Sequence, residues 1–190
     1  MVTHESFLKD VQDHSMIIEN DNGVHRCLYF GIKGNSNYHF RIVTWPGHLA
    51  ISGDMGDFVF SRIEDMFGFF RGKCGVINTG YWCEKLKSIS VFGGHEEFDW
   101  EKFYTELEDC LVNYNDELDA DYVKQELAMS VIEEDEFGAV ELMRNWCHEK
   151  IELDWCDLPS GKKFTYQYIW CLFAIVWSIN KYDSHKNNEA

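Results

Sequence analysis

The segment from Tyr38 to Arg71 constrains the fold more than any other part of the sequence. Apolar and polar residues alternate from Tyr38, and the alternation resumes after two breaks, Trp45-Pro46-Gly47 and Gly53-Asp54-Met55-Gly56. Alternation with a period of two is typical of strands buried on one face, and glycine and proline favour tight turns. The segment therefore predicts three antiparallel strands joined by two hairpin turns.

A helix is predicted directly after the third strand, because the apolar period changes from two to 3.6. Four apolar residues then share one helical stripe: Ile63, Met66, Phe67 and Phe70. Ser61 and Glu64 have the spacing of a capping box, and Gly72 is a suitable stop. The three strands and the helix together span more than thirty consecutive residues, over which the apolar pattern and the turn and capping residues agree.

The rest of the chain completes an α+β fold class with strands first and helices second. Residues 25–32 predict a further strand, so we expect an antiparallel sheet of about four strands with a flanking helix. Residues 3–18 are interpreted as helical. The second half is predicted to be mostly helical, in segments 99–114, 119–131, 137–150 and 164–182. We expect two parts, 1–95 and 96–190, in one compact domain overall.

Composition and the chain ends predict a cytoplasmic protein. Seven cysteines, with no CxxC pair, indicate reduced thiols rather than a disulfide framework. The first residues lack the basic and apolar regions of a signal peptide. The longest apolar run, residues 169–177, is about half of what a membrane span requires. We therefore expect no membrane association.

The net charge of −16 is concentrated in one segment. Residues 1–95 contain ten acids and nine bases, and residues 137–190 contain seven acids and six bases. Residues 96–136 contain sixteen acids and two bases, a net charge of −14. A field of this sign repels nucleic acids and anionic membranes and attracts basic protein surfaces.

Carboxylates in this segment recur at helical spacing, which predicts an acidic face that binds a partner. Rows of carboxylates on a rigid surface imitate the phosphates of a duplex or fit a basic groove. The alternative is a solvated face that only keeps the protein in solution. The candidate partner-binding residues are Glu106, Asp109, Asp116, Glu117, Glu126, Glu133 and Glu134.

No catalytic residue is assigned, and we expect neither a metal nor a cofactor. Ser52, Asp54 and His48 surround one hairpin, but no nucleophile motif orders them. The cysteines are interpreted as scattered core residues rather than zinc ligands. Arg41 and Arg62, with Trp45 nearby, are an alternative site for a small anionic ligand, and His39 and Lys33 add to this basic spot.

Two stretches carry a family resemblance. FRIVTWPGHLAISGDMGDFVFSRIEDMFGFFR resembles a signature of small uncharacterised proteins of phages, prophages and plasmids of proteobacteria, and YIWCLFAIVWSINKYD is similar to their C-terminal end. The resemblance implies a protein made in the cytoplasm of a bacterial host. Small acidic accessory proteins in that setting are frequently counter-defence factors, so it also implies an anti-CRISPR-like role.

Charge and resemblance lead to one leading hypothesis. The chain is expected to bind stoichiometrically to a host defence protein with a basic nucleic-acid-binding surface, and to bind no nucleic acid itself. An anti-restriction target fits equally well. Two alternatives stay open, a protein that sequesters a nucleotide signal and an enzyme acting on host protein or nucleotide. The sequence leaves the oligomeric state open.

Overall fold

The computed structural model describes residues 2–91, 93–112 and 159–189 as an α+β fold, which confirms the predicted class. Strands β1 to β6 form one sheet in sequence order with antiparallel neighbours, and β7 and β8 form a two-stranded sheet. The elements are α1 (His4–Asp10), β1 (Ser15–Asn22), β2 (His25–Ile32), β3 (Asn35–Trp45), β4 (His48–Gly53), β5 (Gly56–Ser61), α2 (Met66–Phe70), α3 (Thr79–Cys83), β6 (Leu86–Ser88), β7 (Glu96–Phe98), α4 (Trp100–Val112), β8 (Lys162–Phe164) and α5 (Tyr166–Glu189).

The main sheet has six strands, so the prediction of about four is wrong in number. The four predicted strands correspond to β2 to β5, and the structure adds an edge strand on each side. The helix predicted over residues 3–18 ends at Asp10, and Ser15 begins β1. Met16 and Ile18 of β1 pack on the core, whereas Ile17 between them is half exposed. This alternation shows that β1 buries one face, and the strand order places β1 at the edge of the sheet.

One face of the sheet is covered by α5 and forms the core of the fold. Alternate residues of β2 to β5 point inward because strand side chains alternate between the two faces. The helix predicted from residue 164 is confirmed, and every residue from Trp170 to Ile179 is buried. The inward sheet residues are Leu28, Phe30, Phe40, Ile42, Leu49, Ile51, Phe58 and Phe60.

Helix α2 is shorter than predicted, because it begins at Met66, three residues after the first residue of the predicted apolar stripe. Asp65 is the N-cap, and its carboxylate accepts a hydrogen bond from the Phe67 N–H at 3.0 Å. Ser61, the predicted cap, is the last residue of β5. Ile63 is 44% exposed, whereas Met66 and the two following stripe residues are buried as predicted.

Asp65 also pairs with a buried cation. Arg26 donates two hydrogen bonds to the Asp65 carboxylate, at 2.8 and 3.1 Å, and its guanidinium lies 4.5 Å from the centre of the Phe67 ring. The Arg26 side chain is 10% exposed. The hydrogen bonds from Arg26 hold the pKa of Asp65 below its ordinary value of 3.8, against the opposing effect of burial.

The chain divides into two compact units. Met1–Glu96 and Phe164–Ala190 form the first, and Glu97–Lys163 forms the second. The sequence-based parts, 1–95 and 96–190, group residues differently, because α5 belongs with the sheet. The helices predicted over 119–131 and 137–150 lie outside the described residues.

We expect Asp65→Asn to lower the free energy of unfolding by about 2 kcal/mol at pH 7, because it leaves the buried Arg26 without its counter-charge. The folded-state pKa of Asp65 is lowered, so its contribution is complete above the ordinary value of 3.8 and is lost as the pH falls through the lower folded pKa. Urea unfolding of both proteins between pH 7 and pH 2 measures this difference.

Asp183→Asn is the matched control. It removes the carboxylate of an equally bidentate pair with Arg71, in which the two side chains are 49% and 33% exposed. Because exposed pairs contribute little, we expect a loss below about 1 kcal/mol. Equal losses for the two variants would show that the buried Arg26 does not depend on Asp65.

Candidate functional site

Helix α4 is the first helix of the acidic segment and belongs to the second unit. Asp99 caps it, since its Oδ1 accepts a hydrogen bond from the Lys102 N–H at 2.7 Å. Residues seven positions apart fall on the same side of a helix, so Glu101 and Glu108 share one exposed side of α4. The opposite side is buried at Phe103, Leu107 and Cys110.

Glu106, one of the predicted partner-binding acids, is engaged inside its own unit. Its Oε2 accepts hydrogen bonds from the Ser160 N–H at 2.8 Å, the Gly161 N–H at 2.9 Å and the Ser160 hydroxyl at 3.1 Å. Lys102 Nζ lies 3.3 Å from its Oε1. Burial opposes the negative charge, but the Gly161 and Ser160 donors outweigh it and lower the pKa of Glu106. Glu106 therefore anchors residues 160–161 to α4.

The other predicted acids are described only in part. Asp109 is exposed on α4, on the adjoining side of the helix from Glu101. The remaining candidates lie outside the described residues: Asp116, Glu117, Glu126, Glu133 and Glu134. The acidic face therefore stays a prediction. Within the described part of the segment, exposed carboxylates lie at Glu97 of β7 and on α4.

The outer face of the sheet, on the side away from α5, contains an open hollow of about 870 Å³. It lies over β1, β2, β3 and the turn between β2 and β3. Its volume falls in the range of small-molecule sites. No acidic residue is among the described residues that line it, which include Tyr29, Gly31, Lys33, Ser36, His39 and Arg41. The hollow therefore brings together three of the four basic residues that the sequence placed in one spot.

Arg41 is held in place at the edge of this hollow. It donates hydrogen bonds to both carboxylate oxygens of Glu19, at 3.1 and 3.2 Å, and these raise the pKa of Arg41. Its guanidinium lies 4.9 Å from the centre of the Tyr29 ring. The side chain is 47% exposed, so the guanidinium keeps donors available to solvent or a ligand.

The other two residues of the predicted ligand site lie elsewhere. Arg62 N–H donates to the Gly47 carbonyl at 3.3 Å, which places Arg62 beside the turn between β3 and β4. Trp45 stacks on His48 at the same turn, with ring centres 5.0 Å apart. Because a strand rises roughly 3.3 Å per residue, Trp45 lies about 13 Å along β3 from Arg41. The set of Arg41, Arg62 and Trp45 is therefore not one site.

Tyr38, the neighbour of His39 on β3, packs on the core. Its ring stacks on Trp170 at 5.9 Å. Its φ of 57° lies in the left-handed region, which non-glycine residues rarely occupy. Two hydrogen bonds hold it there, from the Tyr38 N–H to Asp54 Oδ2 at 2.8 Å and between its carbonyl and the His14 ring at 3.0 Å.

The hydrogen bond between Tyr38 and Asp54 also keeps the Asp54 carboxylate away from Ser52 and His48. Asp54 binds the Tyr38 backbone, and His48 Nδ1 lies 3.0 Å from the Pro46 carbonyl oxygen. Ser52 is four residues from His48 along β4, a distance of about 13 Å. The three side chains therefore do not form a catalytic set.

Sequence reasoning missed one cluster of possible metal ligands. Cys83, His95 and Glu96 place one ligand atom each within 4.8 Å of the others. Cys83 is the last residue of α3, His95 directly precedes β7 and Glu96 begins it. Eleven residues therefore separate Cys83 from His95 in the sequence. No short motif has that spacing, and only the tertiary fold brings the donors together.

Comparison with protein-family models, curated proteins and solved structures finds no match to this chain. The resemblance to phage and plasmid accessory proteins therefore stays a prediction. Among the described residues, no helix is both long and apolar enough to cross a membrane.

We expect Glu106→Gln to speed the hydrogen exchange of the Ser160 and Gly161 amides by about tenfold. The amide side chain lacks the charge that strengthens both hydrogen bonds, and a hydrogen bond to a charged group contributes roughly 1.5–3 kcal/mol. Amide exchange measured by NMR at pH 7 gives the two rates directly.

Glu101→Gln is the control for this substitution. It removes the same charge from an exposed position of α4, so we expect the exchange of Ser160 and Gly161 to stay unchanged. If both variants accelerate exchange equally, the effect comes from the net charge of the helix and not from the Glu106 anchor.

Proposed function

We propose that this protein is a counter-defence protein of a phage or mobile element. In this proposal it acts in the cytoplasm of a bacterial host and binds stoichiometrically to a nucleic-acid-targeting defence complex of the CRISPR or restriction type. The acidic segment 96–136 occupies the basic surface on which that complex binds DNA or RNA. The partner then cannot engage its nucleic acid.

The segregation of charge is the observation that carries this proposal. Fourteen of the sixteen excess negative charges fall within 96–136, between flanks that are each close to neutral. A charge that served solubility alone would need no such concentration. In the described part of the segment, α4 buries one side and exposes Glu101, Glu108 and Asp109 on others, so these carboxylates stand on a regular helix.

Electrostatics predicts how such binding behaves. Opposite fields raise the rate of encounter between two proteins by about 10- to 1,000-fold at low salt. Screening reduces that advantage as the ionic strength rises, because the Debye length falls to roughly 8 Å at 0.15 M. Binding through the acidic segment is therefore expected to be fast and salt-sensitive.

The test neutralises acids that are not known to anchor the fold, Asp116→Asn, Glu117→Gln, Glu133→Gln and Glu134→Gln, in one variant. Capture from a bacterial lysate and mass spectrometry identify the partner, and the purified partner is then titrated with the protein and with labelled DNA or RNA. We expect the wild-type chain to displace the nucleic acid and the variant to bind the partner about tenfold more weakly or worse.

A variant with the same change in net charge serves as the control: Glu5→Gln, Asp13→Asn, Asp57→Asn and Glu64→Gln, all exposed in the first unit. It should displace nucleic acid like the wild type. If both variants bind the partner equally weakly, the effect comes from net charge and not from the acidic segment. If the acidic-segment variant displaces nucleic acid as well as the wild type does, the proposed mechanism is wrong.

The hollow on the sheet supports a second candidate function, the sequestration of a nucleotide or similar small anion. Lys33 and Arg41 line the hollow as cationic groups, Arg41 being paired with Glu19, and the Tyr29 ring lies beside the Arg41 guanidinium. Cationic donors bind phosphate oxygens strongly, and a ring beside them suits a base. Arg62 and Trp45 lie outside this hollow and are not part of the site.

Thermal unfolding in the presence of AMP, GMP and a cyclic dinucleotide tests this candidate. A ligand at about 100 times its Kd stabilises the folded protein by about 2.7 kcal/mol, which corresponds to a Tm increase of roughly 5–10 °C for a chain of this size. Arg41→Gln should abolish the increase, because it removes the guanidinium from the hollow.

Arg62→Gln removes an exposed arginine at the far end of the sheet and should leave the ligand-induced Tm increase intact. A Tm that no nucleotide changes would exclude this candidate. Because the acidic-segment variant retains the hollow, its nucleotide response separates the two candidate functions.

A further inference from the structure

The side chains of Cys83, His95 and Glu96 converge at one place in the first unit. The sulfur, a ring nitrogen and a carboxylate oxygen all lie within 4.8 Å of one another. His95 Nε2 is 3.7 Å from Glu96 Oε2, and the two side chains are 27% and 33% exposed. The cluster is therefore partly sheltered and still open to solvent.

These distances are close to those of a metal site. Zinc binds sulfur at about 2.3 Å and nitrogen or oxygen at about 2.0–2.2 Å, so ligand atoms around a tetrahedral ion lie roughly 3.3–3.8 Å apart. The His95–Glu96 distance already meets this value. Side-chain rotations that move the other atoms by about 1 Å close the set around an ion.

The backbone that carries two of the three donors is fixed by the start of α5. Thr165 N–H donates to the His95 carbonyl at 3.0 Å, and the Thr165 hydroxyl donates to the Gly94 carbonyl at 3.1 Å. The His95 ring also makes an edge contact with the buried Tyr168, at 6.1 Å between ring centres. Fixed ligands lower the ordering cost of binding a metal.

The donor set indicates which ion fits. Thiolate and imidazole are borderline or soft ligands, and a site with one sulfur, one nitrogen and one oxygen suits Zn²⁺ rather than Mg²⁺ or Ca²⁺, which require oxygen. Three protein ligands leave the fourth position of a tetrahedral ion to water or to an added ligand. We propose that Cys83, His95 and Glu96 bind one Zn²⁺ ion with an open fourth position.

Two carboxylates, Glu96 and Glu84, place negative charge near the Cys83 thiol, which suits a cation. Burial raises the pKa of the Cys83 thiol, and the nearby carboxylates of Glu96 and Glu84 raise it further. Tyr168 has a raised pKa for the same reasons, first its burial and then the charges of Cys83 and Glu96. A bound dication offsets this negative charge and displaces the thiol proton, so affinity for Zn²⁺ rises with pH.

Two other thiols in the first unit lie beside a possible second ligand, and both are poorer sites. Cys74 Sγ is 3.5 Å from the His4 ring, but this contact supplies only two donors. Cys27 donates a hydrogen bond to Glu19, whose carboxylate is already paired with Arg41, so a positive charge faces any cation there. Both thiols are therefore useful controls.

The experiment titrates the reduced full-length chain with Co²⁺, an optical stand-in for Zn²⁺, and then displaces it with Zn²⁺. We expect one equivalent of Co²⁺ to give thiolate charge-transfer absorption and the intense visible bands of a tetrahedral ion. One equivalent of Zn²⁺ should remove both. Competition with a chromophoric chelator gives the Zn²⁺ Kd, which should fall as the pH rises from 6 to 8.

Cys83→Ser should abolish the charge-transfer band and weaken Zn²⁺ binding by about 100-fold, because loss of a ligand atom costs more than the roughly 10- to 100-fold effect of changing a residue that only orients a ligand. Glu96→Gln, at a partly exposed position outside the core, should weaken binding without loss of the charge-transfer band. Cys74→Ser and Cys27→Ser should bind like the wild type. Thermal unfolding of each metal-free variant verifies that it is folded.

Three results would overturn the proposal. The first is a wild-type chain that shows no thiolate charge transfer with Co²⁺. The second is a folded Cys83→Ser variant with undiminished Zn²⁺ affinity. The third is loss of the band in Cys74→Ser or Cys27→Ser instead, which would assign the metal to another thiol. None of these results depends on the proposed counter-defence function.

Discussion

The larger unit depends on the burial of α5 against one face of the six-stranded sheet. From Trp170 to Ile179 every residue of this helix is buried, so it is enclosed rather than laid on a surface. Trp170 contacts Phe7 of α1 at 5.1 Å and Phe40 of β3 at 5.6 Å, and its indole N–H donates to Asp10 at 2.9 Å. Full burial of a large apolar side chain contributes about 1.5–3 kcal/mol. One helix thus holds the first helix and the sheet together, and the outer sheet face stays open for other uses.

Local sequence patterns were sufficient to predict the elements whose main contacts are with neighbouring segments of the chain. The hairpins of β3, β4 and β5 were predictable because alternation, glycine placement and strand length agree over 38–61. The edge strand β1 was not, since its core-facing residues, Met16 and Ile18, follow a helix whose apolar spacing extends into them. Helix α5 was recognisable only from the length of its apolar run, because its β-branched and aromatic residues equally suit a strand.

Sites were harder to predict than elements, because a side chain's role depends on neighbours that are distant in sequence. Glu106 has the helical spacing of a surface acid, yet Ser160 and Gly161 occupy its carboxylate. Arg41 and Lys33 line one hollow, because a short turn joins β2 to β3 and Arg41 lies opposite Tyr29 in the pair. The grouping of Cys83 with His95 had no sequence signal, since it requires the chain between α3 and β7 to return to α5.

Because α5 is synthesised after the sheet that it covers, its position has a consequence for folding during translation. All six strands of the meander are made by Ser88, whereas the helix that covers their apolar face begins only at Tyr166. At 5–20 residues per second, the intervening residues take roughly 4–15 s to translate. For that time a nascent sheet would expose phenylalanines from three strands, β2, β3 and β5, so this architecture makes early chaperone binding at the ribosome useful.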